Sequence, residues 1–299
     1  MLKKSPLQNA VDKISNTVVG NQHRIKLSLA AILSEGSILI EDAPGSGKTT
    51  FAKSIAYNLG LEYKRIQFTG DLLPSDILGF NVIENNQTKF NPGPIFGNLV
   101  LADELNRASP KTQSAFMECM EEKAVTIDGK RFELPRPFFV LATQNPSDFS
   151  GTSLLPESQL DRFMVSFKMN ELTREEERSI LENQKQPSIN NSEMEYLLKE
   201  DEKYLERIEN NKPTLDYIQD IADFIKKGNF DFNISTRCLI YITNLSKAWA
   251  HVSGRDFVSP KDVQDILPYV LRHRVQQNTK DQSETFIQKE IIEKVQVPF

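Results

Sequence analysis

The chain has 299 residues, with 36 basic and 41 acidic side chains, a net charge of −5 and a pI near 5.5. That length exceeds what one small core organises and predicts two domains, while 39% hydrophobic and 26% charged residues are the balance of a soluble globular protein. The acidic balance argues against a dedicated nucleic-acid coat. No apolar run approaches the roughly 20 residues that span a bilayer, and the opening MLKKSPLQNAVDKIS lacks the apolar core of a signal peptide. A cytoplasmic protein with no transmembrane segment is therefore expected. Cys119 and Cys238 lie far apart and, with three scattered histidines, offer neither a disulfide framework nor a zinc site.

Residues Val11 to Glu35 read as helix around a turn that contains Val18, Val19 and Gly20, with Ile25, Leu27, Leu29, Ala30, Ile32 and Leu33 forming an apolar face. The next stretch, SILIEDAPGSGKTTFAKSIAYNLG from Ser37 to Gly60, organises the rest. Its apolar start, Pro/Gly-rich middle and periodic tail spell strand, loop, helix. Asp42, Ala43, Pro44, Gly45, Ser46, Gly47, Lys48 and Thr49 satisfy most of the phosphate-binding pattern G-x-x-x-x-G-K-[ST]. Glycines let backbone N–H groups curl around an anion, and the helix that opens at Lys48 and includes Thr50 aims its positive end at the same place. Lys48 is expected to reach the β- and γ-phosphates of ATP, and the Thr49 hydroxyl to ligate Mg²⁺. Asp42 stands where the pattern has its first glycine, which adds a like charge beside the phosphates.

Tyr63 to Phe68 is a short second strand. Thr69 to Pro94, rich in Gly, Pro, Asn and Asp, reads as a long irregular loop of the kind that is usually functional. The strand Asn98 to Ala102 then runs into Asp103-Glu104, the companion of a phosphate loop. The first acid would hold the Mg²⁺ shell, and the second would orient or deprotonate the attacking water. A helix is expected from Lys111 to Lys123, with Ala115, Phe116, Met117 and Met120 inward. Ala124 to Pro135 alternates in period two around Asp128-Gly129, the signature of a two-residue hairpin, with Lys130 and Arg131 at its tip. A third strand, Phe138 to Thr143, ends in Gln144-Asn145-Pro146, whose amides could hold the water that Glu104 activates. Leu160-Asp161-Arg162-Phe163 leads into a strand from Met164 to Phe167.

From Asn170 the character changes. The charged run Arg174 to Arg178 and the polar stretch through Asn191 read as a linker, and no strand pattern recurs before Phe299. Ser235-Thr236-Arg237 opens an amphipathic helix with a hydroxyl in the capping position, and Trp249 on that helix is expected in the core. The division is thus residues 1–170, an α/β domain, and residues 171–299, a helical domain.

The blocks DLLPSDILG, NPGPIF, ADELNRASPKTQSAFMECMEE, FFVLATQNP, LPESQLDRF and GRDFVSPKDV, in this order around the phosphate loop, resemble the signatures of the MoxR family of AAA+ ATPases. The resemblance implies a P-loop AAA+ domain with a parallel five-stranded sheet and a small all-α lid, assembled into a ring that is usually a hexamer. It implies that Asn145 is the sensor-1 residue, Arg162 an arginine finger acting on a neighbour's ATP, and Arg237 the sensor-2 arginine. Val18 to Gly20 would line the adenine pocket. The stretch 69–94 resembles the helix-2 insert, and 124–135 the pre-sensor hairpin, elements that face the ring pore. Relatives of this kind remodel or activate partner proteins, often ones with von Willebrand factor A domains. Two other readings stay open: a nucleic-acid motor of the minichromosome-maintenance or RuvB type, supported by Lys130 and Arg131, and an ATP-gated scaffold that turns over slowly.

Overall fold

The computed structural model describes residues 6–43, 45–145, 155–182, 201, 203, 205–228, 230–275 and 283–298. In chain order the strands are β1 (Ser37–Glu41), β2 (Tyr63–Gln67), β3 (Gly79–Glu84), β4 (Gln87–Pro92), β5 (Leu99–Asp103), β6 (Ala124–Ile127), β7 (Lys130–Glu133), β8 (Phe139–Gln144) and β9 (Phe163–Phe167). The helices are α1 (Pro6–Ser15), α2 (Gln22–Leu33), α3 (Lys48–Asn58), α4 (Pro74–Leu78), α5 (Pro110–Glu122), α6 (Glu157–Leu160), α7 (Arg174–Glu182), α8 (Lys212–Lys227), α9 (Thr236–Val252), α10 (Pro260–Leu271) and α11 (Ser283–Ile287).

Five strands form the parallel sheet, in the order β2-β5-β8-β1-β9. The apolar runs of β1, β5, β8 and β9 are buried along their whole lengths, as strands covered on both faces must be. Only β2, with its polar sequence YKRIQ, is largely open, and it lies at the edge. Alternation sorts side chains onto the two faces: Ile38, Ile40, Leu99, Leu101, Phe139 and Leu141 join the cluster that includes α1, α2 and α3. Leu39, Val100, Ala102, Val140 and Ala142 join the other, with Phe116, Met117 and Met120 of α5. The first cluster continues through α8, α9 and α10, so the helical region shares its core with the sheet. In it Trp249 is buried, as expected, and Ser235 caps α9 by accepting the Cys238 N–H at 3.0 Å.

Two sequence expectations need correction. Residues 69–94 are not an irregular loop: after α4 they fold into the antiparallel hairpin β3–β4. Its turn is Asn85-Asn86, both at positive φ (52° and 58°), the left-handed conformation that Asn tolerates best after Gly. This hairpin lies against the second one. Phe90 stacks on Phe132 at 4.1 Å between ring centroids, and Asn81 Nδ2 donates to Asp128 Oδ2 at 2.7 Å. The charged run from Arg174 is likewise no linker but α7. Thr173 and Glu176 cap each other reciprocally, three glutamates sit at the positive end, and Arg178 pairs with Glu182 one turn on. The remainder of that stretch, 183–191, lies outside the described residues.

Candidate active site

Because β5, β8 and β1 are neighbours, the segments leaving their carboxyl ends meet at one edge of the sheet, where ligands of open α/β folds bind. A cleft of about 390 Å³ opens there, lined by Asp42, Gly45, Gly47, Lys48, Thr49, Thr50, Arg65, Gln67, Asp103, Glu104, Thr143, Gln144 and Asn145. Its size is in the range of small-ligand sites. Gly45 and Gly47 have φ of 86° and 85°, and nothing stands within 4 Å of where a Cβ would point. Only glycine takes that backbone readily. Lys48 begins α3, so the first N–H groups of that helix have no partner within it. Its ammonium donates to Ala43 O (2.6 Å), Asp42 O (3.2 Å) and Ser46 Oγ (3.4 Å). Burial pulls the Lys48 pKa down, against the nearby charges of Asp42, Asp103 and Glu104. Pro44 lies outside the described residues, as does Pro146.

The two acids are held by different partners. Thr143 Oγ1 donates to Asp103 Oδ1 at 2.7 Å and accepts the Glu104 N–H at 2.9 Å, while Arg65 pairs with Asp103 Oδ2 at 2.6 Å. Glu104 itself sits at φ 55°, a left-handed conformation uncommon for a glutamate. Its Oε2 accepts from Gln67 Nε2 (2.8 Å) and Arg107 (2.9 Å). Thr49 and Asp103, one hydroxyl and one carboxylate on the same cleft, offer oxygen donors that suit Mg²⁺. That ion takes few protein ligands and completes its shell with phosphates and waters. Among the described residues no cluster of three His, Cys, Asp or Glu would hold a metal alone.

Behind the loop, Glu41 is buried at the end of β1. It accepts from Gln144 Nε2 at 2.6 Å and Ser166 Oγ at 3.3 Å, and Arg272, at the end of α10, stands 3.4 Å from its Oε2. The residue after Glu41 starts the phosphate loop, and the residue after Gln144 is Asn145. The helical region thus touches the strand ends that carry both.

Other expected site residues lie elsewhere. Arg162 immediately precedes β9, whose first residue pairs with Ser37, the first residue of β1. It is therefore at the amino edge of the sheet, roughly 15 Å from the loop at about 3.3 Å per residue. There it donates to Met117 O at 2.7 Å and pairs with Glu121 at 2.9 Å. Arg237 hydrogen-bonds the other oxygen of the same carboxylate. Neither arginine borders the cleft. Val18, Val19 and Gly20 form the turn between α1 and α2, also outside the cleft wall, where Gly20 O accepts from Asn170 Nδ2 at 2.7 Å. At the tip of the second hairpin Arg131 is paired with Glu133 (2.9 Å) and Glu122 (3.4 Å). Sequence reasoning did not single out Glu41, Arg65, Gln67, Arg107 or Thr143. Of these, only the strand pairing Gln67 with Asp103 would have pointed to β2.

Two family descriptions match the chain: the ATPase family associated with various cellular activities (AAA) over residues 37–165 and the AAA lid domain over residues 223–295. The Bacillus subtilis protein YeaC is 40% identical over 98% of this chain and 95% of its own. Chaperone MoxR1 of Mycobacterium tuberculosis is 35% identical, covering 90% of this chain and 75% of its own. Protein MoxR of Methylorubrum extorquens is 25% identical over 88% of this chain and 85% of its own. The crystal structure of a proposed ATPase from Cytophaga hutchinsonii superposes with a TM-score of 0.86 at 31% identity, over 98% of this chain and 95% of that one.

Proposed function

Because the chain belongs to the MoxR family of AAA+ ATPases, we propose that it hydrolyses Mg-ATP in a ring of identical subunits, a hexamer, and uses the cycle to remodel or activate a protein client. The observation that carries this reading is the convergence of Lys48, Thr49, Asp103, Glu104 and Asn145 on one cleft. Lys48 would hold the β- and γ-phosphates, with the loop N–H groups around them. Thr49 and Asp103 would hold Mg²⁺, which supplies charge neutralisation between the phosphates. Glu104, held by Gln67 and Arg107, would take the proton of the attacking water, and Asn145 would orient that water. Arg162 and Arg237 would act on the site of a neighbouring subunit, with the nucleotide-binding core taken as residues 1–170 and the lid as 171–299. A role for Val18 to Gly20 beside the adenine is part of the same reading.

The client is taken to be a protein, with a von Willebrand factor A domain partner as the first candidate, in the cytoplasm. Among the described residues no helix is long and apolar enough to cross a membrane. The charge of Arg131 is already answered by Glu133 and Glu122, which leaves little at that hairpin tip to neutralise nucleic-acid phosphates. Glu104→Gln should bind ATP normally and lose roughly 10²–10⁴ in turnover, the range for a missing general base. Steady-state hydrolysis within about threefold of wild type would remove Glu104 from this scheme. Added single- or double-stranded DNA should leave hydrolysis unchanged. Stimulation abolished by changing Lys130 and Arg131 to Ala would favour the nucleic-acid motor instead.

A further inference from the structure

At the amino edge of the sheet, one carboxylate holds two arginines that come from separate parts of the chain. Glu121 lies in the last turn of α5. Its Oε2 pairs with Arg162 at 2.9 Å, and its Oε1 accepts from Arg237, at the start of α9. Two guanidinium groups drawn together repel each other unless an anion bridges them, and the bridging geometry, one oxygen to each, is the one a phosphate would also adopt. The cluster is not sealed. The side chains of Glu121, Arg162 and Arg237 are 41%, 29% and 37% exposed, and Arg162 and Glu121 border an open surface cleft of about 430 Å³.

Arg162 is also under-used, since its Nε is buried without a hydrogen-bond acceptor. The second acid nearby behaves differently. Asp161 accepts from Ser235 Oγ at 3.0 Å and from Arg274 Nε at 3.1 Å, so it is anchored independently of Arg237, from which it stands 3.7 Å. Asp161 can keep Arg237 in place when Glu121 lets go.

We propose that Glu121 is an internal competitor for Arg162 and Arg237: in the free subunit its carboxylate occupies the position that an anionic phosphate oxygen, presented by a second copy of this chain, takes on assembly. This inference rests on the reading that both arginines serve a neighbour's site, and it adds the group they must be released from. An exposed, solvent-screened ion pair is weak enough to be exchanged, and each one contributes little. Glu121 thus makes productive assembly depend on a nucleotide-loaded neighbour, because an empty one brings no anion to displace it.

The test measures ATP hydrolysis per subunit against protein concentration for wild type, Glu121→Gln, Glu121→Ala and Arg162→Ala. Sedimentation with a non-hydrolysable ATP analogue runs in parallel. Both Glu121 variants should reach half-maximal activity and half-assembly at a protein concentration about threefold to tenfold lower than wild type, the scale of two screened ion pairs. A purely structural role for Glu121 would not produce that gain. Arg162→Ala should stay nearly inactive at every concentration, and adding Glu121→Gln to it should not restore activity. Unchanged or higher half-activity concentrations in the Glu121 variants, with Arg162→Ala still inactive, would overturn the competitor role alone and make Glu121 an orienting residue. Near-normal hydrolysis by Arg162→Ala would overturn the shared-site reading, and this inference with it.

Discussion

The two edges of the parallel sheet are built to opposite plans. At the carboxyl edge Lys48, Asp103 and Glu104 surround open space, and each is steadied by a neighbour from its own chain: Ala43 O, Thr143 and Gln67. At the amino edge Arg162 and Arg237 face no acid–base pair and no phosphate loop, and they are closed onto Glu121. In the proposed scheme one edge has the groups that would bind phosphate and activate water. The other has the cations that would stabilise charge developing on a transferred phosphoryl group. A site at one end of a parallel sheet and its complement at the other, about 15 Å away in any single copy, is the arrangement that the proposed head-to-tail assembly would need.

The largest effect tests that division directly. An arginine finger contributes roughly 10³–10⁵ to turnover, so Arg162→Ala should bind ATP and hardly hydrolyse it. Mixed with Lys48→Ala subunits it should regain part of the activity, because a subunit with intact Lys48 can then sit beside one with intact Arg162. If rings shown to be mixed recover nothing, Arg162 belongs to its own subunit's site and the two edges are not complementary.

Next in size is a change to the tie between the carboxyl edge and the helical region. Arg272 and Glu41 are 3% and 1% exposed. The 3.4 Å approach is an ion pair without hydrogen-bond alignment, since Arg272 Nε has no acceptor in line. Arg272→Met would leave Glu41 buried with Gln144 and Ser166 but without the Arg272 cation, and should cost about 3–5 kcal/mol of stability. The double variant with Glu41→Gln should recover most of it, as measured by urea unfolding. Equal losses in the single and double variants would mean that the cost lies in packing or in the bonds of Arg272 to Ser283 and Glu284, and not in the Glu41 charge.

Much of the carboxyl edge was legible in the sequence, and most of the amino edge's wiring was not. Lys48, Thr49, Asp103, Glu104 and Asn145 each end or begin an element whose apolar run is unmistakable, so their convergence follows once the strands are parallel neighbours. Arg65 and Gln67 sit on β2, a polar edge strand whose YKRIQ carries no motif. Only the register that sets Gln67 beside Asp103 gives them meaning. Glu121 meets Arg237 across 116 positions, a separation no local pattern encodes. The hairpins make the same point. Asp128-Gly129 announces β6–β7 because a glycine marks the left-handed turn, whereas Asn85-Asn86 makes the same kind of turn without one and β3–β4 passed for loop.

A smaller effect sharpens the account of the carboxyl edge. Asp42 lines the cleft, and its Oδ1 accepts the neighbouring Ala43 N–H at 2.8 Å. Asp42→Gly removes a negative charge beside the phosphates and should tighten ATP binding by about threefold to tenfold, the size of one partly screened contact. The loss of the Ala43 bond acts the other way. Titration with ATP reads the balance, and an unchanged or weaker affinity would show that the bond holding the loop outweighs the repulsion.

The smallest expected effect belongs to neither edge, and so it controls for both. His23 on α2 lies between the rings of Trp249 on α9 and Tyr269 on α10, 5.0 and 5.2 Å away, in the seam where the helical region meets the sheet domain. Its Nε2 is buried without a partner. Burial, then the adjacent Arg24, lowers its pKa below the usual 6.5, against weaker opposing pulls from Asp265 and Glu284. The folded chain therefore prefers the neutral ring, while the unfolded chain takes up its proton near the ordinary value. The seam is fully stable above about pH 6.5 and loses stability as pH falls below it, towards the lowered folded pKa. Thermal midpoints measured from about pH 7.5 down to pH 5.5 should fall more in wild type than in His23→Phe. ATP affinity at the higher pH should be the same in both, because His23 reaches neither the cleft nor the Glu121 cluster. Parallel pH profiles would place the acid-sensitive group elsewhere in the seam, and a change in ATP affinity would mean that the seam and the carboxyl edge are coupled through more than Glu41 and Arg272.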